Sequence, residues 1–320
     1  RANICFSRRS YGKRMAHAFY FLNRLSTDGS ALGLPLKGGR TIIPSFTVKF
    51  YTEGGEGDFS GGLRIIGPAS MAFSPDGKIV YMTGYLIGSS GSVMDTSIPA
   101  VFKVNYDSND EMSVFVGDAS EKAYGKDETH LTVPTSVDTD AAGNVYVSDF
   151  MNDRVQIFEP SGKLLKSLSV KFPAKVLVHK KTGEIFVFSW PVCGVPLALV
   201  KATNYKVWEV PKKLFSYTPY PEMKLKKEED FPLGTSLADT DHGASSGLRY
   251  EVVLDSWSEN TTFWTIARGR PNRDEREAQQ YSSDPNVYEK GLRIIQQKSG
   301  KWEVLCNFNQ MTKKAMGRLP

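Results

Sequence analysis

The chain has 320 residues, which suits one large domain or two ordinary ones, and all-β domains often use this length as a single unit. Hydrophobic residues make up 40% of the sequence and aromatic residues 12%, a composition that excludes a largely disordered chain. The formal net charge of +5 comes from 40 basic and 35 acidic residues that are scattered along the chain, so a nucleic-acid-binding protein is not indicated.

Cysteine usage and apolar runs narrow the class of protein further. Cys5, Cys193 and Cys306 lie far apart, so neither a disulfide framework nor a cysteine-based zinc site is predicted. The chain lacks the Cys-x-x-Cys-His motif that attaches a c-type haem, so we expect no covalently bound cofactor. No apolar run approaches the roughly 18 residues that cross a bilayer, so a soluble protein is expected.

Three segments of the chain, 68–84, 134–149 and 173–189, repeat one pattern. Each has alternating apolar positions, then a turn glycine that can adopt positive φ, then a run rich in β-branched and aromatic residues. The turn glycines are Gly77, Gly143 and Gly183. This pattern predicts the inner β-hairpin of a propeller blade.

Further strands are predicted around these hairpins. Third strands are predicted at 101–104, 155–158 and 197–201, and fourth strands at 114–116 and 164–168. Upstream strands are predicted at 18–22 and 46–51, and downstream strands at 250–255, 262–267, 292–295 and 302–305. Segment 211–232 holds four prolines and many charges, so it is interpreted as a long excursion between strands.

The predicted fold is all-β, a β-propeller of six or seven four-stranded blades with long loop insertions. The insertions at 84–99 and 118–132 are rich in polar and small residues, and such loops often serve binding. We expect residues 1–320 to form a single domain, with residues 1–15 as an extended N-terminal arm.

The stretch 133–165 resembles the NHL repeat of β-propellers. The specific part is Gly143-Asn-Val-Tyr-Val-Ser-Asp149 followed by Asn152-Asp-Arg154-Val-Gln-Ile-Phe. Asp149 and Asn152 are expected to hold the turn between two strands by accepting backbone N–H groups. Arg154 is expected to pair with an acidic group. These roles are structural, and the other two copies of the hairpin lack this continuation.

The chain is also similar to the haem-free propeller subunits of bacterial hydrazine synthase, since it combines one clear NHL blade, long polar insertions and no haem motif. That resemblance implies haem-bearing partner subunits in a redox complex that makes hydrazine from nitric oxide and ammonium. It implies a secreted, periplasmic or organelle-lumen location such as the anammoxosome, and a loop that reaches toward a partner's haem site. Segment 219–232 is the candidate loop, and its contact groups are Glu222, Glu228, Glu229 and Asp230.

Asp239, Asp241 and His242 are the best candidate metal ligands, since they fall within four residues. Carboxylate oxygens favour a divalent metal such as calcium. Asp and His are also common in glycine-bounded turns, so an ordinary turn is the alternative. His179 follows a predicted strand and is expected to be a packed or surface residue rather than a ligand.

Three functions are compatible with these patterns. The first is a non-catalytic propeller subunit that docks on partner proteins in a multi-subunit complex, for which no catalytic residue is predicted. The second is a stand-alone metal-dependent hydrolase or lyase, as found among related propellers. The third, which NHL propellers also include, is an RNA-binding module. Whether the chain has an activity of its own is left open by its sequence.

Overall fold

The computed structural model describes residues 4–11, 18–25, 64–66, 70–84, 86–88, 96–106, 112–119, 123–192, 195–206, 209–233, 250–258, 260–267, 292–308, 311 and 314–315. The chain divides into two compact units. Unit 1 comprises Arg1–Val176 and Gly194–Tyr205, and unit 2 comprises Leu177–Cys193 and Lys206–Pro320.

Most of the described secondary structure is β-strand. The strands of the first part of the chain are β1 Ile4–Tyr11, β2 Ala18–Leu25, β3 Arg64–Ile66, β4 Ser70–Phe73, β5 Ile79–Thr83, β6 Leu86–Gly88, β7 Thr96–Ser97, β8 Ala100–Asn105, β9 Ser113–Gly117, β10 Pro134–Thr139, β11 Val145–Asp149, β12 Arg154–Phe158 and β13 Leu164–Ser169. The later strands are β14 Pro173–Val178, β15 Ile185–Ser189, β16 Lys213–Tyr217, β17 Leu225–Asp230, β18 Tyr250–Asp255, β19 Thr262–Ala267, β20 Leu292–Lys298 and β21 Lys301–Asn307. Helix α1 spans Leu197–Thr203 and a 3-10 turn spans Phe150–Asn152. In the described part of the chain, no helix has the length and apolar character needed to cross a membrane.

Four sheets have four strands each, and their recorded strand pairs are antiparallel. Their strand orders are β4-β5-β8-β9 in sheet 1, β10-β11-β12-β13 in sheet 2, β14-β15-β16-β17 in sheet 3 and β18-β19-β20-β21 in sheet 4. Neighbours in each sheet follow one another along the chain, apart from β6 and β7, which intervene in sheet 1. This up-and-down order is the connectivity of a propeller blade. The predicted all-β class with four-stranded blades is therefore confirmed, whereas the number of blades stays a prediction.

A fifth sheet has the order β1-β2-β3-β6-β7. Strand β1 pairs antiparallel with β2 along its whole length, and β2 pairs in parallel with β3. The segment expected to form an N-terminal arm therefore contributes a paired strand. The predicted strand 18–22 lies within β2, and the predicted strand 46–51 lies outside the described residues.

The inner hairpin turn of sheet 2 shows why the repeats fold as predicted. The Asp140 carboxylate accepts the backbone N–H of Asn144 at 2.9 Å, and the Gly143 N–H donates to the Asp140 carbonyl at 3.2 Å. Gly143 has a φ of 91°, where a Cβ atom is disfavoured. Gly77 and Gly183 occupy the matching turns with a φ of 73° each. The three predicted inner hairpins are β4–β5, β10–β11 and β14–β15.

Sheet 3 departs from the prediction in its outer half. Residues 197–201, predicted as a third strand, belong to helix α1, because a short apolar run suits either element and its Leu and Ala residues favour a helix. The third and fourth strands are β16 and β17. Both lie in segment 211–232, so its interpretation as an excursion was wrong. Its prolines lie outside both strands, where they remove no ladder hydrogen bond.

Apolar side chains pack between neighbouring sheets inside each unit. In unit 1 one core joins sheets 1 and 2, and its buried members are Ala72, Tyr81, Val101, Phe115, Leu131, Val137, Val145, Val147 and Phe158. In unit 2, Phe263 of sheet 4 meets Phe188 of sheet 3 edge to face, with ring centres 5.2 Å apart. Phe231 lies 5.1 Å from Phe188 and 5.5 Å from Phe263, which completes an aromatic core.

Candidate interaction surface

The Asp149, Asn152 and Arg154 side chains of sheet 2 form a largely buried polar cluster between β11 and β12. The Asp149 side chain is fully buried and accepts the Thr132 N–H at 2.6 Å. It also accepts the Asn152 side-chain amide at 2.7 Å and the Arg154 Nε at 2.9 Å. Arg154 therefore pairs with an acid of its own turn. Asn152 differs from the prediction, because its amide donates to a carboxylate instead of accepting a backbone N–H.

The same cluster holds the segment that precedes β10. Arg154 donates to the carbonyls of Lys126, Asp127 and His130 at 2.7 to 2.9 Å. Asn152 donates to the Gly125 carbonyl at 2.7 Å. A guanidinium carries five donors in a fixed fork, so one side chain can satisfy several carbonyls at once. These contacts make the cluster a latch that holds the backbone of residues 125–130 against sheet 2.

Burial and hydrogen bonding act in opposite directions on Asp149. Burial is the larger effect and raises the pKa of its carboxyl to about 6. The hydrogen bonds from Asn152 and Thr132 and the charge of Arg154 lower that pKa, and so limit the rise. The carboxyl therefore ionises closer to neutral pH than an ordinary aspartate.

The acids predicted as partner contacts lie on a charged edge strand and in its turn. Glu228, Glu229 and Asp230 belong to β17, the outermost strand of sheet 3, and Glu222 lies in the preceding turn. Lys213 Nζ lies 2.9 Å from Asp230 Oδ1 and 4.0 Å from Glu228 Oε1. The loop assignment was wrong for residues 225–230, because this segment continues the sheet. The role of the four acids in partner contacts stays a prediction.

Two lysines of β17 form further ion pairs, one with an acid of the same strand and one with an acid at the β14–β15 turn. Lys227 Nζ lies 2.5 Å from Glu229 Oε2, and Lys226 Nζ lies 2.6 Å from Glu184 Oε1. Charged side chains on an edge strand oppose its pairing with another chain. The charge density of this segment is therefore explained within the sheet itself.

The predicted metal ligands Asp239, Asp241 and His242 lie outside the described residues. Within the described ranges, no three His, Cys, Asp or Glu side chains are grouped as a metal site requires. His179 is buried, as expected, and its Nδ1 accepts the N–H groups of Lys181 and Thr182 in the β14–β15 turn.

Four hairpin turns of unit 2 form what we call the hairpin-tip surface, comprising residues 179–183, 218–224, 255–258 and 298–301. The Lys180 N–H donates to Ser256 Oγ at 3.2 Å, which joins the first and third turns. A Cβ built on Gly183 would lie 3.1 Å from Pro219 Cβ, so the first turn also touches the second.

One hydrogen bond joins the fourth turn to β17 of sheet 3, and a second joins β20, next to that turn, to the residue that precedes β19. Lys227 Nζ donates to the Gly300 carbonyl at 3.1 Å. The Gln297 N–H donates to the Thr261 carbonyl at 3.0 Å. The exposed lysines of this surface are Lys180, Lys181, Lys224, Lys298 and Lys301. Its carboxylates among the described residues are Glu222 and Asp255, so the surface is basic.

Trp257 projects from this surface with 86% of its side chain exposed. Asp255 accepts the Trp257 N–H at 2.8 Å and the Ser258 hydroxyl at 2.7 Å, and these bonds lower the pKa of the Asp255 carboxyl. Lys181 Nζ lies 5.5 Å from the centre of the Trp257 ring and 3.4 Å from its carbonyl oxygen. The turn is thus fixed by its own hydrogen bonds while the ring faces solvent.

A second apolar feature crosses the outer face of sheet 4. Val253, Trp264, Ile294 and Cys306 are register partners in successive strands, and we call them the outer row. Val253 is 61% exposed and Trp264 is 37% exposed. The Trp264 ring stacks on Phe308 at 6.2 Å between centres. Residues that face the other way in the same strands are buried: Val252, Thr265, Arg293 and Asn307.

Sequence reasoning missed both apolar features. The Asp255-Ser-Trp-Ser258 segment lies between two predicted strands, and its Asp and Ser residues indicate a turn. Trp is an unusual residue in such a turn. An aromatic residue inside a polar turn could therefore have been singled out. The outer row carries no such signal, since exposed and buried apolar residues look alike in a strand.

No protein-family model matches the chain, and no curated protein matches it. Among solved structures it is similar to hydrazine synthase from Kuenenia stuttgartiensis, with 14% identity, a TM-score of 0.34, and coverage of 68% of this chain and 49% of that one. It is also similar to a gluconolactonase from Xanthomonas campestris, with 14% identity, a TM-score of 0.31, and coverage of 58% and 50%. A third similar structure is the calcium-binding protein regucalcin from Agrobacterium tumefaciens, with 14% identity, a TM-score of 0.30, and coverage of 53% of this chain and 44% of that one.

The chain spans about half the length of each of these three structures. At identities and TM-scores this low, the likeness carries no argument about function. The class of the protein therefore rests on its own sheets. It is an all-β protein in which four sheets are four-stranded, antiparallel and connected as propeller blades.

Proposed function

We propose that this chain is a non-catalytic propeller subunit that docks on partner proteins in a multi-subunit complex. One observation carries the proposal: the large apolar side chains that are exposed, among those the structure describes, all belong to unit 2. They are Leu225, Val253, Trp257, Trp264, Val304, Leu305 and Met311. Exposed apolar groups that collect on one part of a protein mark interaction sites more often than scattered ones do.

The chemistry of these side chains suits a protein partner. Trp264 and Val253 lie side by side on a sheet face, and Val304 and Leu305 lie on β21, the outermost strand of the same sheet. Tryptophan in particular is enriched among the residues that dominate binding energy in protein interfaces.

In its particular form, the proposal places the chain in a redox complex such as hydrazine synthase, with haem on the partner subunits and a location outside the cytoplasm. Two features of the sequence support this form: the resemblance of stretch 133–165 to the NHL repeat, and the long polar insertions. Membership of that complex stands or falls with the identity of the partners.

The test is the size and absorbance of the chain in extracts of its native source. We expect it to elute in a complex of fixed composition, and a haem absorbance band to elute with it if the redox form holds. A tagged Val253→Lys variant should elute largely alone, because a charge placed in the outer row opposes burial. Lys163→Glu, at an exposed lysine of unit 1, is the matched control. A native chain that elutes as a monomer at micromolar concentration would contradict the proposal.

A further inference from the structure

The hairpin-tip surface combines an apolar anchor with a basic rim. Trp257 is 86% exposed, and Leu225, which directly follows the second turn, is 54% exposed. The five exposed lysines come from three of the four turns, 179–183, 218–224 and 298–301. An apolar centre bordered by charged groups is the usual anatomy of a protein interface.

Resting on the proposed docking function, we infer that the hairpin-tip surface receives an acidic segment of a partner protein. The charge of the surface predicts a negatively charged partner, because its described residues include five exposed lysines and two carboxylates. The Asp255 carboxylate is already engaged in its own turn through Trp257 and Ser258. The surface therefore complements carboxylates, which steer association and fix its orientation.

Trp257 supplies the anchor for such a segment. Its turn is held by Asp255, so little backbone entropy is lost when a partner covers the ring. Lys181 lies over the ring and keeps a cation beside the contact. An acidic side chain that approaches the ring would meet this ammonium group, while neighbouring apolar atoms of the partner would cover Trp257 and Leu225.

A peptide is favoured over nucleic acid by the content of the surface. Single-stranded nucleic acid is held by successive aromatic platforms along a groove. Among the described residues of the four turns, Trp257 is the one aromatic residue that is mainly exposed. The exposed apolar residue that follows the second turn, Leu225, is aliphatic and cannot stack on a base. Lysine ammonium groups attract phosphates as well as carboxylates, so the test includes both kinds of ligand.

The experiment measures binding of the full chain to a fluorescein-labelled peptide in which Glu and Asp surround a Leu-Phe pair. Matched probes are the same peptide with Lys in place of the acids, an oligothymidylate, and vesicles of phosphatidylcholine and phosphatidylserine. We expect the acidic peptide to bind best, with an affinity that falls as salt is added. Preference for the oligonucleotide or the vesicles, or equal binding of the basic peptide, would overturn the proposal.

Variants of the surface sharpen this test. Trp257→Ala and the double variant K181E/K224E should each weaken binding of the acidic peptide by about 10-fold or more. Lys163→Glu removes an exposed lysine of unit 1 and should leave binding unchanged. Because Trp257 is 86% exposed, its variant should keep the thermal midpoint of the wild type. Unchanged binding in a folded Trp257→Ala protein would count against the anchor.

The inference and the proposed function can fail separately. If the native complex survives in extracts but neither surface variant affects it and the acidic peptide does not bind, docking uses another surface and this inference is overturned. If the peptide binds as expected but the native chain elutes alone, the surface has its predicted chemistry and the proposed function is overturned.

Discussion

At the level of single residues, the carboxylate of Asp149 is held by three hydrogen-bond donors. Its side chain is fully buried, and every group directed at it is a donor, from Thr132, Asn152 and Arg154. A buried ion pair of this kind stabilises little in net terms, because desolvation offsets the attraction. Removing one partner is a different matter, since it leaves the other charge buried and uncompensated.

The raised pKa of Asp149 predicts how stability depends on pH. The folded-state pKa of about 6 exceeds the value of roughly 4 in an unfolded chain, so the folded state takes up the proton first. The contribution of this group is therefore fully present below about pH 4 and is lost as pH rises toward 6 and above, by about 2 to 3 kcal/mol. Urea unfolding of wild type and Asp149→Asn between pH 4 and 7 measures it. Relative to Asp149→Asn, the wild type should lose stability over this range, and a constant or rising difference would refute the assignment.

Arg154→Met tests the other half of the pair. Loss of the guanidinium should raise the pKa of Asp149 further and lower the free energy of unfolding at pH 7 by about 3 to 5 kcal/mol. The loss should be smaller at pH 5, where the carboxyl is mostly neutral. Lys163→Met removes an exposed lysine 3.9 Å from Glu159 and should cost under about 1 kcal/mol. Equal effects of the two substitutions in urea unfolding would show that the latch contributes no more than a surface pair.

At the level of single elements, the sequence predicted what local chemistry decides. The inner hairpins were recognised because a turn glycine and alternating apolar residues are written into short segments, as at Gly77, Gly143 and Gly183. The pairing of Arg154 with an acid was also predictable, because Asp149 lies only five residues away, whereas the contacts of Arg154 with the carbonyls of Lys126, Asp127 and His130 depend on the fold. Strands β12 and β13 followed correctly from their apolar residues.

The outer strands of sheet 3 could not be predicted in this way. Strand β17 is made mainly of Lys, Glu and Asp, which disfavour strands, and it exists because β16 offers it a pairing edge. The apolar residues of helix α1 suited a strand equally well on local grounds. The interaction surface escaped prediction because it is assembled from four separate turns, whose proximity is a property of the fold.

At the scale of the whole molecule, the two units differ in what they present to solvent. Where side chains are described, the large apolar residues of unit 1 are packed against its sheets, whereas those of unit 2 include a row on an open sheet face. The predicted single domain and the predicted number of blades are not decided by this difference. The difference supports the proposal that unit 2 carries the docking surface.

The outer row of unit 2 predicts how the isolated chain behaves without its partner. Exposed apolar residues on one face should drive weak self-association of the chain. Sulfate should strengthen this association if it buries apolar surface, whereas added salt would weaken an association that depends on charge pairs. Val253→Lys should reduce this association without lowering the thermal midpoint, because Val253 is 61% exposed. Sedimentation velocity over a concentration series, with Lys163→Glu as control, measures the effect. A wild-type sedimentation coefficient that stays constant with concentration and with added sulfate would show that the outer row does not drive self-association.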